Sequence, residues 1–234
     1  MTNINQTKLK KTTKVFNDVF DKYDIMNDLT SFGIHRLWKK KLIDWMRPDK
    51  GDNLIDVASG TGDIAKAFLE RTNYLGYVSC VEPNEKMLKI GKDKLDYLQN
   101  ISWHSSLAEK LPFKDEVFDI YSVSFGIRNF TNIDSGLKEA RRVLKTGGRI
   151  MCLEFSKIDN EILRKFYKIY SKSIPIIGKY IVGNSEPYDY LIKTIDEFYD
   201  QNQLKNIFEK NGFTNVEYRN LSGGIAAIHS GWKI

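Results

Sequence analysis

Two carboxylates bracket a pair of glycines in this chain: Asp56-x-x-x-Gly60-Thr61-Gly62, then Glu82 about twenty residues further on. Leu54, Ile55 and Val57 before the glycines read as a short buried strand, and Ile64 to Leu69 after them resume at helical spacing. Strand, glycine turn and helix form the first unit of a doubly wound sheet. The glycines let a backbone approach a ligand closely, and the helix start offers unpaired N–H groups. An acid placed like Glu82, at the end of the next strand, reaches ribose hydroxyls. A second constellation, Ser124 with Arg128 and Asn129, lies at and just beyond the end of the run Phe118–Phe125. Ligands in open α/β sheets lie beyond the carboxyl ends of strands, so these three face the same site. A third, Asp28 and His35, lies in a segment that mixes polar groups with large apolar ones. For proton chemistry the candidates are Arg128, Asp28 and His35. An arginine stays protonated, so Arg128 suits stabilising an oxyanion or polarising a water better than direct base catalysis. Asp28 and His35 serve equally as a base or as hydrogen-bonders at a helix start.

The glycine loop does not match the dinucleotide fingerprint Gly-x-Gly-x-x-Gly. Asp63 falls in the first helical turn, where a pyrophosphate would be repelled. A cationic or zwitterionic ligand fits that charge, and S-adenosylmethionine (SAM), with a sulfonium, an ammonium and no phosphate, is one. The plain alternative is an ordinary tight turn between strand and helix.

The elements that position these residues follow from the hydrophobic pattern. Residues 1–11 read as a disordered tail. From Thr12 an amphipathic helix places Val15, Phe16, Val19, Phe20 and Tyr23 on one face. Residues 23–39 read as part of a lid, so that 12–46 forms an N-terminal helical cover ending in a helix from His35 to Met46. Strands are expected near Asn53–Val57, Gly76–Glu82, Ile101–His104, Phe118–Phe125, Arg149–Phe155, Thr214–Leu221 and Gly224–His229. The helix through Leu137, Ala140, Val143 and Leu144 is expected to stop at Gly147-Gly148. Residues 156–211 are too long for one crossover. A helix over Ile162–Tyr170, an apolar stretch broken by Pro175 and Gly178, and two further helices make this an insertion able to cap a substrate.

Composition narrows the class. With 234 residues, 41% of them hydrophobic, the chain suits one large α/β domain. The lysine-rich start has no apolar core of a secretory signal, and no run reaches the ~18 apolar residues that span a bilayer, which predicts a cytoplasmic protein. The net charge of +6 is spread along the chain without a dense arginine block, which argues against a nucleic-acid footprint. Cys80 and Cys152 lie singly in strand-like runs and three histidines are scattered, so no metal site is expected.

With these residues placed, the chain resembles the ubiquinone/menaquinone biosynthesis C-methyltransferases, within the class I SAM-dependent methyltransferases. The likeness runs from about Phe16 to Lys233. It is carried by the segment Tyr23–Lys39 (YDIMNDLTSFGIHRLWK), by Ser124-Phe125-Gly126-Ile127-Arg128-Asn129, by Arg142–Gly148, by Leu153–Ser156 and by the ending Asn220–Lys233. Ser59 stands where the family usually has glycine, and Thr146 where proline is common. Leu107 replaces a polar residue that often holds adenine, which leaves the backbone around Leu107 and Ala108 to meet the ring edge. The resemblance implies a Rossmann-like, seven-stranded, mostly parallel sheet with an antiparallel last strand. It implies SAM as methyl donor, held by Asp56, Gly60, Thr61, Gly62, Glu82, Leu107, Ala108 and Ser124. It implies C-methylation of a polyprenylated quinol ring, with Arg128, Asn129, Asp28 and His35 as the catalytic candidates. Peripheral contact at the inner face of the membrane, a quinone-biosynthesis complex and a homodimer are partners of that reading. An O- or N-methyltransferase of the same fold is the alternative, but it gives no reason for residues 23–39.

Overall fold

The computed structural model describes residues 28, 31, 33–182 and 185–234. The tail expected over 1–11 and the Val15–Tyr23 helix lie outside them. Helix α1 (His35–Met46) leads to β1 (Asn53–Val57), α2 (Asp63–Arg71), β2 (Tyr77–Val81), α3 (Glu85–Lys94), β3 (Ile101–His104) and β4 (Phe118–Ser124). A 3-10 turn (Ile127–Asn129) then precedes α4 (Ile133–Val143) and β5 (Leu144–Phe155). Helices α5 (Glu161–Val182), α6 (Glu186–Glu197) and α7 (Gln201–Lys210) follow, and β6 (Thr214–Leu221) and β7 (Ala226–Trp232) close the sheet.

The strand order is β3-β2-β1-β4-β5-β7-β6, with β7 antiparallel to both its neighbours and the other pairings parallel. The doubly wound sheet with an antiparallel last strand is therefore present. Alternation along each strand divides the core between the two faces. In β5, Met151, Leu153 and Phe155 join one cluster with Trp38, Leu42 and Phe68, while Ile150 and Cys152 join the other with Leu137, Ala140 and Phe208. Both thiols are buried, Cys80 in the first cluster and Cys152 in the second, and burial raises the pKa of each well above the usual thiol value. Side-chain caps start helices α3 and α7. Asn84 Oδ1 accepts from the N–H groups of Lys86 and Met87, and Asp200 with Gln203 forms a capping box on α7.

Three expectations change. Helix α4 ends at Val143, and Leu144 already pairs with Phe118, because the sheet offers this backbone a partner before the glycines are reached. Pro175 does not break its helix: α5 is continuous over 22 residues, held where Ile174 and Ser171 are buried, so packing outweighs the lost backbone hydrogen bond. The last strand begins at Ala226, after a 3-10 turn at Ser222–Gly224, and runs on to Trp232. Among the described residues no helix is long and apolar enough to cross a membrane.

Gly91 of α3 packs so close to the indole of Trp103 on β3 that a Cβ there would overlap the ring. Alanine there gains ~1 kcal/mol of helix propensity but drives a methyl into the ring. We expect Gly91→Ala to lower stability by a net ~1–3 kcal/mol, read as an earlier urea midpoint at unchanged slope. A raised midpoint would show that the ring moves aside freely.

Candidate active site

The sheet's carboxyl edge is built from residues in unusual backbone conformations. Ala58 (φ 54°) and Phe125 (φ 56°) leave β1 and β4 in the left-handed region, an uncommon place for residues with a side chain and one that collects at functional sites. The two turns touch: a methyl on Gly126 would overlap the Ala58 methyl. Ser59 N–H donates to Val81 O at 3.2 Å, which draws the β1 turn toward β2. Gly62, at φ +85°, caps α2, and a Cβ there would meet both Leu95 and Trp103 at 2.8 Å.

Between these turns lies a cleft of about 750 Å³, lined by Gly60, Glu82, Met87, Leu107, Ala108 and Asn129 among others. Glu82 is buried, and its two oxygens accept from Gly60 N–H (3.0 Å) and Asn84 N–H (2.8 Å). Burial nevertheless pushes its carboxyl up to about 7. Val57, Met87, Leu107, Ala108, Phe125 and Phe130 make the remaining wall largely apolar, which suits the flat face of an aromatic ring. A smaller neighbouring cleft of about 370 Å³ is lined by Asp56, Gly60, Thr61, Asp63, Ser124 and Lys39. Ser122 Oγ donates to Asp56 Oδ1 at 2.6 Å, but Asp56 Oδ2 and Ser124 Oγ are buried with no partner. Burial lifts Asp56 to about 7 as well. Orphaned acceptors beside a glycine loop are what a ligand bearing an ammonium and hydroxyl groups would satisfy, so the residues present fit SAM.

Asp63 changes the charge argument drawn from sequence. Burial works to raise its pKa, but Lys39 and Lys94, each 2.8 Å away, hold it well below the usual carboxylate range. Its charge is already matched, and the acidic character of the site rests on Asp56 and Glu82. Lys39, which the sequence reading did not single out, also ties α1 to the glycine loop. The unmatched acid at the start of α2 was the available signal for it.

The four catalytic candidates separate. Asn129 lines the larger cleft and accepts from Tyr190 O–H at 3.3 Å, which links the turn to α6. Arg128 is buried beside it, over the Phe155 ring at 5.6 Å. Its Nη1 donates to Glu154 Oε1 (2.6 Å) and to Phe125 O (2.7 Å), and its Nε is buried without a partner. Glu154, also buried, is pushed up by burial and held back by Arg128. Asp28 forms a two-point pair with Arg36 (2.6 and 3.1 Å), which lowers its pKa. His35 Nδ1 lies 3.1 Å from Ser31 Oγ and 3.5 Å from Asp28 Oδ1, and burial lowers its pKa. Asp28 and His35 thus form a cluster with Ser31 and Arg36 around the start of α1. Neither Tyr190 nor Glu154 was singled out as a site residue from sequence. Among the described residues, no three His, Cys, Asp or Glu gather as a metal site.

Comparison with known proteins gives the chain's relatives. The model of the ubiE/COQ5 methyltransferase family matches residues 1–233. The ubiquinone/menaquinone biosynthesis C-methyltransferase UbiE of Ruegeria sp. is 46% identical over 97% of this chain and 92% of its own length. The mitochondrial 2-methoxy-6-polyprenyl-1,4-benzoquinol methylase of Danio rerio is 43% identical over 98% of this chain and 81% of its own length. Among solved structures, a SAM-dependent methyltransferase from Aquifex aeolicus superposes with a TM-score of 0.66 at 16% identity, covering 92% of this chain and 97% of its own. At that identity the likeness is one of fold.

The raised Asp56 pKa has a consequence for stability. The unfolded carboxyl titrates near 3.8 and the folded one near 7, so the folded state holds the proton more tightly. Stability from this group is complete below the unfolded value and is lost as pH rises through about 7. Asp56→Asn keeps an oxygen for Ser122 and removes the charge. We expect it to match the wild type near pH 4 and to exceed it at pH 8 by ~1–3 kcal/mol in urea titrations. An unchanged pH profile would mean that Asp56 does not titrate in this range.

Proposed function

Because the chain belongs to the ubiE/COQ5 methyltransferase family, we propose that this cleft serves SAM-dependent C-methylation of a polyprenylated quinol ring in ubiquinone or menaquinone biosynthesis. The observation that carries the reading is that Glu82 and Asn129 line one cleft, beyond the ends of β2 and β4. Glu82 has further lone pairs to accept from ribose hydroxyls. The turn at Gly60–Gly62, with Asp56 and Ser124, receives the amino-acid end, and Leu107 with Ala108 flanks the adenine. When bound, SAM supplies an electrophilic methyl group. As a phenolic proton leaves, a ring carbon becomes nucleophilic enough to take the methyl from sulfur, which would leave S-adenosylhomocysteine. The same carbon then loses its hydrogen as a proton and the oxygen regains one, so the ring must be a quinol and not a quinone.

The protein's share is to position the ring, exclude water and stabilise the developing phenolate. Asn129 is the residue placed to touch the substrate, through its side-chain amide. Arg128 acts from behind it: Glu154 and Phe125 O fix the guanidinium, and its charge lends a positive field to the turn. Asp28 and His35 order the start of α1, while residues 156–211 cap the substrate. On this reading the tailed substrate brings the working protein to the inner face of the membrane as a peripheral protein.

The direct test is incubation of the purified protein with SAM and short-tailed benzoquinol or naphthoquinol. The expected product carries one added methyl on a ring carbon, and absence of product from both would sink the reading. Asn129→Ala should lower turnover by ~10²–10³ with SAM affinity nearly intact, by analogy with loss of one oxyanion donor. Glu82→Ala should weaken SAM binding by ~1–3 kcal/mol in calorimetry. Arg128→Ala is the poorer probe, since it strands Glu154 and should cost ~3–5 kcal/mol of stability.

A further inference from the structure

Helix α5 carries large apolar side chains that the described residues leave exposed. Ile162, Phe166, Ile169, Ile176 and Tyr180 are between 62% and 88% exposed. At 3.6 residues per turn all five fall within about 40° of one line along the helix, over a length of about 27 Å. Lys165, Lys168, Lys172 and Lys179 lie along one flank of that line, about 60° to 120° round the helix. The helix has five cations against the single acid Glu161. Its buried side, with Ser171 and Ile174, faces the other way.

This is neither the pattern of a buried helix nor that of a solvated one. Monomeric soluble proteins seldom expose a contiguous apolar strip with a cationic border. Its chemistry complements an interface whose interior is apolar and whose surface is anionic. The same helix adjoins the site: Tyr167 feels the charge of Arg128, and α5 packs on α6, which reaches Asn129 through Tyr190.

We propose that the Ile162–Tyr180 face of α5 docks the protein on an anionic lipid surface, with its apolar side chains in the acyl boundary and its lysines among the headgroups. A polyprenylated ring could then pass from bilayer to cleft without its tail crossing water. That purpose rests on the quinol reading; the docking itself does not.

Flotation of the full-length protein with vesicles tests the docking. It should rise with phosphatidylcholine vesicles containing phosphatidylglycerol and remain below with phosphatidylcholine alone. Raising salt from about 0.1 M to about 1 M, which shortens the Debye length from about 10 Å to about 3 Å, should release it. Each of Phe166→Ser, Ile169→Ser and Tyr180→Ser should weaken partitioning by roughly tenfold. These variants should melt with the wild type, and their rate on a long-tailed quinol embedded in vesicles should fall. Unchanged flotation of a variant carrying all three substitutions would overturn the proposal. So would a lowered melting temperature, which would mean that the chain packs on this face itself. A wild-type dimer converted by the variant to monomer would assign the face to a second copy instead. Should the wild type methylate no short-tailed quinol, the functional reading fails while the flotation result still decides the docking.

Discussion

A buried carboxylate is tolerated only where donors converge on it, and Glu82 draws its donors from two separate turns. Gly60 N–H comes from the loop after β1, and Asn84 N–H from the cap of α3. The acid therefore joins the first two strand ends before any ligand is present. Its two hydrogen bonds do not repay the whole cost of burial, which is why its pKa remains raised. The ribose hydroxyls of the proposed ligand are the further donors such a group lacks. Loop closure and ligand affinity thus draw on one unmet demand for hydrogen bonds.

Arg128 and Glu154 meet the same problem in a different way. Each neutralises the other at 2.6 Å, and the carboxylate gathers the N–H groups of Phe155 and, at 3.5 Å, Arg128. The pair fixes the turn after β4 and leaves Asn129 as the side chain in the cleft. Lys39 does for the glycine loop what Arg128 does for this turn, bringing an outside charge to an acid that would otherwise repel an anionic neighbour.

The division between what was legible in sequence and what was not follows the range of each interaction. The strand before Gly60, the helix after Gly62 and the acid at 82 are local patterns, so the sheet and the larger cleft could be read from them. The local pattern puts Arg128 beyond the right strand, but its burial depends on Glu154, 26 residues away on the adjoining strand, which the register Ser124 with Leu153 brings alongside. The pattern at Leu144 continues a helix, yet the strand edge at Phe118 claims it. Pro175 looked like a break because its local cost is plain, while the burial of Ile174 that outweighs it belongs to the tertiary structure.

The two cysteines give the molecule an internal clock. Cys80 sits in β2 on one face of the sheet and Cys152 in β5 on the other, and neither thiol has solvent access or an ordinary tendency to ionise. A thiol reagent meets either one only when the helical layer over that face parts from the strands. Labelling rates at the two positions thus time the opening of each layer separately, and a ligand that joins the strand ends slows the first without having to slow the second.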